Sequence, residues 1–187
     1  MLLMRVSTIT RGNCEIRGYD SFFPVTDLEL GAESSISDKG GDKESGGVKR
    51  DFVVKRNEPE EVSIDRHCDR ISPVLMAQVI KSRTSGPSLF CTIDVSFVQV
   101  RFTTGAMADV KAFFMLRFGK ARFVSWSLSG SEDEKRPTES VKFKYSQIAI
   151  GMRYTEDGLT YRSETSQSWD FDLNKECPEL VPAEWAK

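Results

Sequence analysis

Few side chains in this sequence could do chemistry. The one histidine, His67, is followed directly by Cys68 in Asp65-Arg66-His67-Cys68-Asp69. An imidazole beside a thiol is the pairing that makes cysteine a nucleophile, with the ring as its base. Neighbouring residues on a strand point to opposite faces, so without a kink these two do not meet, and a packing role outweighs a catalytic one. Carboxylates gather in Glu132-Asp133-Glu134 and Glu58-Pro59-Glu60. They are the residue type that general acid-base work requires, but both runs sit in strongly polar stretches and read as solvated charge. Lys39-Gly40-Gly41-Asp42-Lys43 is glycine-rich yet lacks the spacing of a phosphate-binding loop and has no strand-helix unit around it. Lys142 and Lys144 alternate with Val141, Phe143 and Tyr145, a pattern shared by OB-type nucleic-acid surfaces and by any strand with an apolar inner and a cationic outer face.

The cysteines Cys14, Cys68, Cys91 and Cys177 form no CxxC pair. That favours free thiols in a reducing compartment and gives no zinc signature. With a single histidine, neither a metal nor another cofactor is expected. Twenty-six Lys and Arg against 28 Asp and Glu leave a net charge of −2, which disfavours nucleic-acid binding, because phosphate contacts demand concentrated positive charge. Hydrophobic residues make up 39% of 187, enough for one core and one domain spanning residues 1–187. Met1-Leu2-Leu3-Met4-Arg5 reaches a charge too early for a signal peptide, and no apolar run approaches the roughly 20 residues that cross a bilayer. The expectation is a soluble product made in the cytoplasm, without membrane insertion.

The elements that would position these residues are mostly strands. Cys91, Ile93, Val95 and Phe97 alternate with polar residues, then the phase slips so that Val98, Val100 and Phe102 continue it. Such a slip predicts a bulge or bend. Val141-Lys142-Phe143-Lys144-Tyr145 and then Ile148, Ile150, Met152 and Tyr154 in the opposite phase predict a second long, bent strand. Val110 to Phe118 and Arg122 to Leu128, separated by Gly119-Lys120, predict two more. Leu2 to Ile9, Glu15 to Gly18, Pro24 to Leu30, Glu61 to His67 and Ser168 to Leu173 are shorter candidates. One helix is predicted: Ser72 as N-cap, Pro73 in the first turn, Leu75, Met76, Val79 and Ile80 on one face, and Ser85-Gly86-Pro87 as the stop. Many strands with one short helix predict a mainly β fold, two packed antiparallel sheets forming a barrel or sandwich with the helix over an open end or edge. Residues 31–60 are rich in Ser, Gly and charge, and predict a long flexible loop. The tail from Cys177 to Lys187 predicts an irregular surface segment.

Four short motifs add a family resemblance. Pro137-Thr138-Glu139-Ser140-Val141 leads a long alternating strand; Met4 to Ile9, Gly12 and Gly18-Tyr19-Asp20 open the chain; Asp69-Arg70-Ile71-Ser72-Pro73 starts the helix; and Trp169-Asp170-Phe171-Asp172-Leu173-Asn174-Lys175 closes the last strand. In order and spacing they resemble the haemolysin-coregulated protein (Hcp) family, the tube subunits of bacterial type VI secretion systems. Arg70 and Ile71 stand where the family commonly has Lys and Ala, Thr160 to Gln167 replace its Gly-rich approach to the last strand, and the loop at 31–60 and the longer tail are this chain's own.

The resemblance implies a β-barrel with one helix, assembled as a homo-hexameric ring. Rings stack into a hollow tube, driven with a spike by a contractile sheath, exported without a signal peptide and able to hold effector cargo in the lumen. It implies no enzyme activity. On this reading the candidate contacts between rings are Ser34, Ser35, Asp38, Lys39, Asp42, Lys43 and Gly46, and outward polar residues such as Lys142, Lys144, Thr92, Asp94 and Ser96 border a wet lumen or outer wall. Two rivals stand beside it: a monomeric β-barrel module binding oligonucleotide or carbohydrate, marked by exposed aromatics beside Lys or Arg on one face, and a small hydrolase using Cys68 or a carboxylate pair.

Overall fold

The computed structural model describes residues 1–31, 36–38, 52–54, 59–82, 90–103, 106–133, 135–155 and 161–186. Its strands, in chain order, are β1 (Leu2–Val6), β2 (Phe23–Val25), β3 (Asp27–Glu29), β4 (Ile36–Asp38), β5 (Phe52–Val54), β6 (Val62–His67), β7 (Cys91–Thr103), β8 (Ala106–Ser129), β9 (Thr138–Lys144), β10 (Gln147–Thr155) and β11 (Tyr161–Asp170). One α-helix, α1, runs over Ser72–Ser82, as its pattern predicts. All pairings are antiparallel, in the order β2-β1-β7-β8-β9-β6-β3, with β10 branching from β8 and carrying β11. β4 and β5 form a separate hairpin inside the segment predicted as a loop.

The two ends of that path meet. Only Thr26 separates β2 from β3, and its backbone N–H and Oγ1 both donate to the carbonyl of Asp65 at 2.8 Å. The chain therefore pairs first with β1 and then with β6, and the sheet closes on itself, which removes two edges. A second corner falls in β8. Its first half pairs with β7 and β10, and residues from Arg122 onward pair with β9. Between the halves Lys120 takes φ of 50°, a left-handed conformation that side chains adopt only where surroundings impose it. The predicted separation at Gly119-Lys120 is thus a bend within one continuous strand. The facing chain turns at the same level, where Ser146 N–H donates to the Gly119 carbonyl at 3.3 Å, so the predicted bent strand divides into β9 and β10. The register shift between Phe97 and Val98 matches the phase slip.

Apolar phases of the barrel strands meet inside it: Met4, Val6, Val62, Ile64, Ile93, Val95, Leu116, Phe118, Val141 and Phe143, with Ile71, Leu75 and Val79 of the helix region. Phe118 lies edge-on to Phe143 and to Tyr145, centroids 5.1 and 4.9 Å apart, arrangements that the ring quadrupoles favour. A second cluster covers the outer face of β1, β7, β8 and β10. Leu3, Phe22, Val98, Ala112, Met115, Ala149 and Trp185 are buried there, with Ile16, Tyr19, Leu180 and Val181 beside them.

Four expectations change. Glu15 to Gly18 is a turn, with Gly18 at φ of 88°. The strand predicted over Ser168 to Leu173 ends at Asp170, whose Oδ1 accepts from the Leu173 N–H at 2.9 Å and folds the chain into a turn. The tail docks rather than wandering: Cys177, Pro182 and Trp185 are buried, and a Cβ on Gly151 would stand 2.6 Å from the Trp185 ring, so the strand glycine makes the indole's seat. Finally, Ser72 does not cap the helix. The Asp69 carboxylate accepts from the Ile71 N–H at 2.7 Å, and the Ser72 hydroxyl donates instead to Glu139 at 2.7 Å, because that buried carboxylate needs donors.

Candidate assembly surface

Two surfaces of the β10 region remain without a partner among the described residues. The outer border of β11 is paired with no described strand, and Thr165, Ser166 and Gln167 on it are exposed. Such a border presents a row of N–H and C=O groups to any other strand. Beside it lies an apolar stripe. On β10, Ile148, Ile150 and Met152 share the face of Phe118, Leu116 and Phe114, their partners on β8. Ile148 packs on the core, whereas Ile150 is 36% and Met152 52% exposed. The barrel-lining face thus runs out into solvent as the sheet extends past the barrel. The other face of β10, with Ala149 and Gly151, is covered by the tail.

The body that holds this surface is latched by charge. Arg66 is 1% and Glu139 0% exposed, opposite each other across β6 and β9. Glu139 accepts from Arg66 Nη1 at 3.1 Å, Ser72 Oγ at 2.7 Å and Trp126 Nε1 at 2.6 Å. Arg66 also pairs with Asp69 and stacks over Phe23, 4.8 Å from the ring centroid. One buried pair therefore joins two strands, the start of α1 and the PTESV segment.

A second latch fixes the end of β11. Asp170 is buried and accepts from Gln147 Nε2 at 2.6 Å, the Leu173 N–H and Lys120 Nζ at 3.3 Å. Chiefly the Gln147 bond, then the Leu173 N–H and Lys120, hold its carboxyl down at about 2, outweighing the opposing effect of burial. The folded state thus favours the ionised form, so this stabilisation is complete above the ordinary value of 3.8 and is lost as pH falls towards 2. In thermal melts, the advantage of the native chain over Asp170→Asn is expected to shrink between pH 4 and pH 2. A constant gap would show that the charge is immaterial.

Most of the predicted loop contacts, Ser34, Ser35, Lys39, Asp42, Lys43 and Gly46, lie outside the described residues, as do Glu58 and Glu134; Asp38 pairs with Phe52 in the β4-β5 hairpin. His67 is exposed at the end of β6, and Cys68 is half-buried with its N–H bonded to the Pro137 carbonyl at 2.8 Å. Burial, reinforced by the Glu139 charge, pushes the Cys68 thiol up, the reverse of what activates a nucleophile. Lys142 and Lys144 point outward, Lys144 3.5 Å from Glu61, and none of the exposed aromatics among the described residues lies on their strand. Asp94 and Ser96, expected to border a wet surface, are buried, because Tyr19, Phe22 and the tail cover that face. Among the described residues no group of three His, Cys, Asp or Glu side chains could hold a metal ion, and no helix is long and apolar enough to cross a membrane.

All four cysteines are free, Cys91 and Cys177 buried. Burial pushes Cys91 up to about 11. Iodoacetamide at pH 7.5 is expected to spare Cys91 and Cys177 in the native protein and to label all four in denaturant, read by intact mass. Rapid native labelling of Cys91 would contradict the packing described.

No protein-family model and no curated protein matches the sequence. Among solved structures the chain is similar to one described as a type six secretion system protein, at 14% identity over 94% of this chain and 98% of that one, with a TM-score of 0.71. It is similar to Hcp1 from Salmonella typhimurium at 16% identity, covering 94% and 97% of the two chains, TM-score 0.58. A type VI secretion system effector from Yersinia pestis matches at 11% identity over 91% and 99%, TM-score 0.56. At such identities the likeness is one of backbone, and it spans nearly the whole of each chain. The resemblance carried by four short motifs thus extends through the entire architecture, and this chain has the fold of the Hcp proteins of type VI secretion systems.

Proposed function

We propose that the protein is a structural tube subunit: six copies form a ring, rings stack into a hollow secreted tube that a sheath and spike drive outward, and the lumen holds effector cargo. The chain acts as one barrel domain over residues 1–187, without catalysis, and residues 31–60 serve as a loop contacting the next ring. The observation that carries this reading is the unpaired β11 border beside exposed Ile150 and Met152, on a fold shared with type VI secretion proteins. A neighbouring copy laid against that border would satisfy its backbone groups and cover its apolar residues in one closed symmetric arrangement. The β2-β3 corner already closes the opposite side of the sheet within the subunit, so β11 is the border that supports the proposal.

Native mass spectrometry tests it: the expected species is six times the 21.1 kDa chain, and monomer alone at high concentration would oppose it. Deleting residues 34–47 is expected to leave the melting transition in place and to weaken ring stacking in sedimentation. Loss of the folded state would place that segment in the core instead.

A further inference from the structure

On the covered outer face of the barrel, Arg5, Asp94 and Arg117 stand opposite one another across β1, β7 and β8. Asp94 Oδ2 accepts from Arg5 Nε at 2.9 Å and Nη2 at 2.5 Å, and its Oδ1 accepts from Arg117 Nε at 2.6 Å. Two guanidinium groups therefore share one carboxylate, and the ladder keeps a surplus positive charge. It forms part of the lining of a cavity of about 260 Å³, closed by Tyr19, Phe22 and Trp185 and lined also by Arg153. Asp94 is the only carboxylate in that lining. A neighbouring hollow of about 440 Å³ shares Arg5, Asp94 and Arg117. Arg5 also lies 5.1 Å from the Phe22 ring centroid, so its plane is held from two sides.

We infer that this cavity binds a small carboxylate carried on an aromatic or apolar body, the carboxylate meeting Arg117 and Arg153 and the body packing among Tyr19, Phe22 and Trp185. Guanidinium forks match a planar carboxylate, and they do so most strongly where water is scarce. Asp94 positions the arginines while neutralising only one of them. The aromatic walls favour a carboxylate with an apolar body over a bare inorganic anion. The inference does not depend on ring assembly, since every wall comes from one chain.

Titration of the full chain with sodium benzoate, followed calorimetrically and by ligand-observed NMR, tests it. Benzoate is expected to saturate a single site with a dissociation constant on the order of 1 mM, weakening as salt rises. Benzamide, equal in shape but uncharged, is expected to bind at least tenfold more weakly. Arg117→Lys keeps a cation on Asp94 but loses the fork, and is expected to weaken benzoate at least tenfold with an unchanged melting transition. Arg153→Gln provides a second variant, and the comparison of benzoate with benzamide on the unaltered chain stands even if neither variant folds. Absence of saturable benzoate binding would make the triad a structural ladder only. Equal binding of benzamide, or inorganic phosphate binding as tightly as benzoate, would also overturn the assignment.

Discussion

Replacing Glu139 with alanine is expected to lower the free energy of unfolding by about 3–5 kcal/mol, the usual cost of stranding one partner of a buried ion pair. Arg66 would keep Asp69 but lose its fully buried acceptor, while Ser72 Oγ and Trp126 Nε1 would each lose the bond they make to the carboxylate. Because the three donors lie on β6, at the start of α1 and on β8, the damage spreads to the helix that covers the barrel. Urea denaturation followed by circular dichroism measures it, and a loss under about 1 kcal/mol would show that the pair adds little beyond ordinary packing. A double replacement, Arg66→Met with Glu139→Leu, is expected to recover most of the loss, since apolar residues of similar volume need no compensating charge.

Blocking the β11 border is expected to abolish assembly while leaving the subunit folded. Ser166 and Gln167 are adjacent and lie in regular register with Gly151 and Ile150. Of two successive strand residues, one N–H points to β10 and the other away from it. Proline at the outward one removes a donor only from the free border and is tolerated there, whereas at the inward one it breaks the ladder. One of Ser166→Pro and Gln167→Pro is therefore expected to melt normally and to associate at least tenfold more weakly in sedimentation, a change of about 1.4 kcal/mol or more. If both fold and both assemble as the unaltered chain does, β11 is not the contact.

Much of this architecture is legible in the residues. Ser72-Pro73 and the apolar spacing behind them locate α1, and the slip after Phe97 locates a bulge because strand periodicity admits no other reading. Even the buried pair leaves a trace. Arg66 stands in phase with Val62 and Ile64, and Glu139 in phase with Val141 and Phe143, so each strand carries a charge on its apolar face, and opposite signs on paired strands answer each other. What periodicity does not carry is long-range geometry. The corner at Thr26 depends on a carbonyl 39 residues away, and the seat of Trp185 depends on a glycine in another strand. Asp94 and Ser96 alternate as a solvated face would, and only the covering by Tyr19, Phe22 and the tail buries them. The unpaired state of β11 likewise follows from the complete set of pairings, not from its own sequence.

The central claim is that identical copies complete the border that β11 leaves open. Electron microscopy of the purified chain, beside whichever proline variant keeps the normal melting transition, tests it most directly. The account predicts rings with a central hole for the unaltered chain and separate subunits for the variant. Separate subunits for the unaltered chain at high concentration would contradict it.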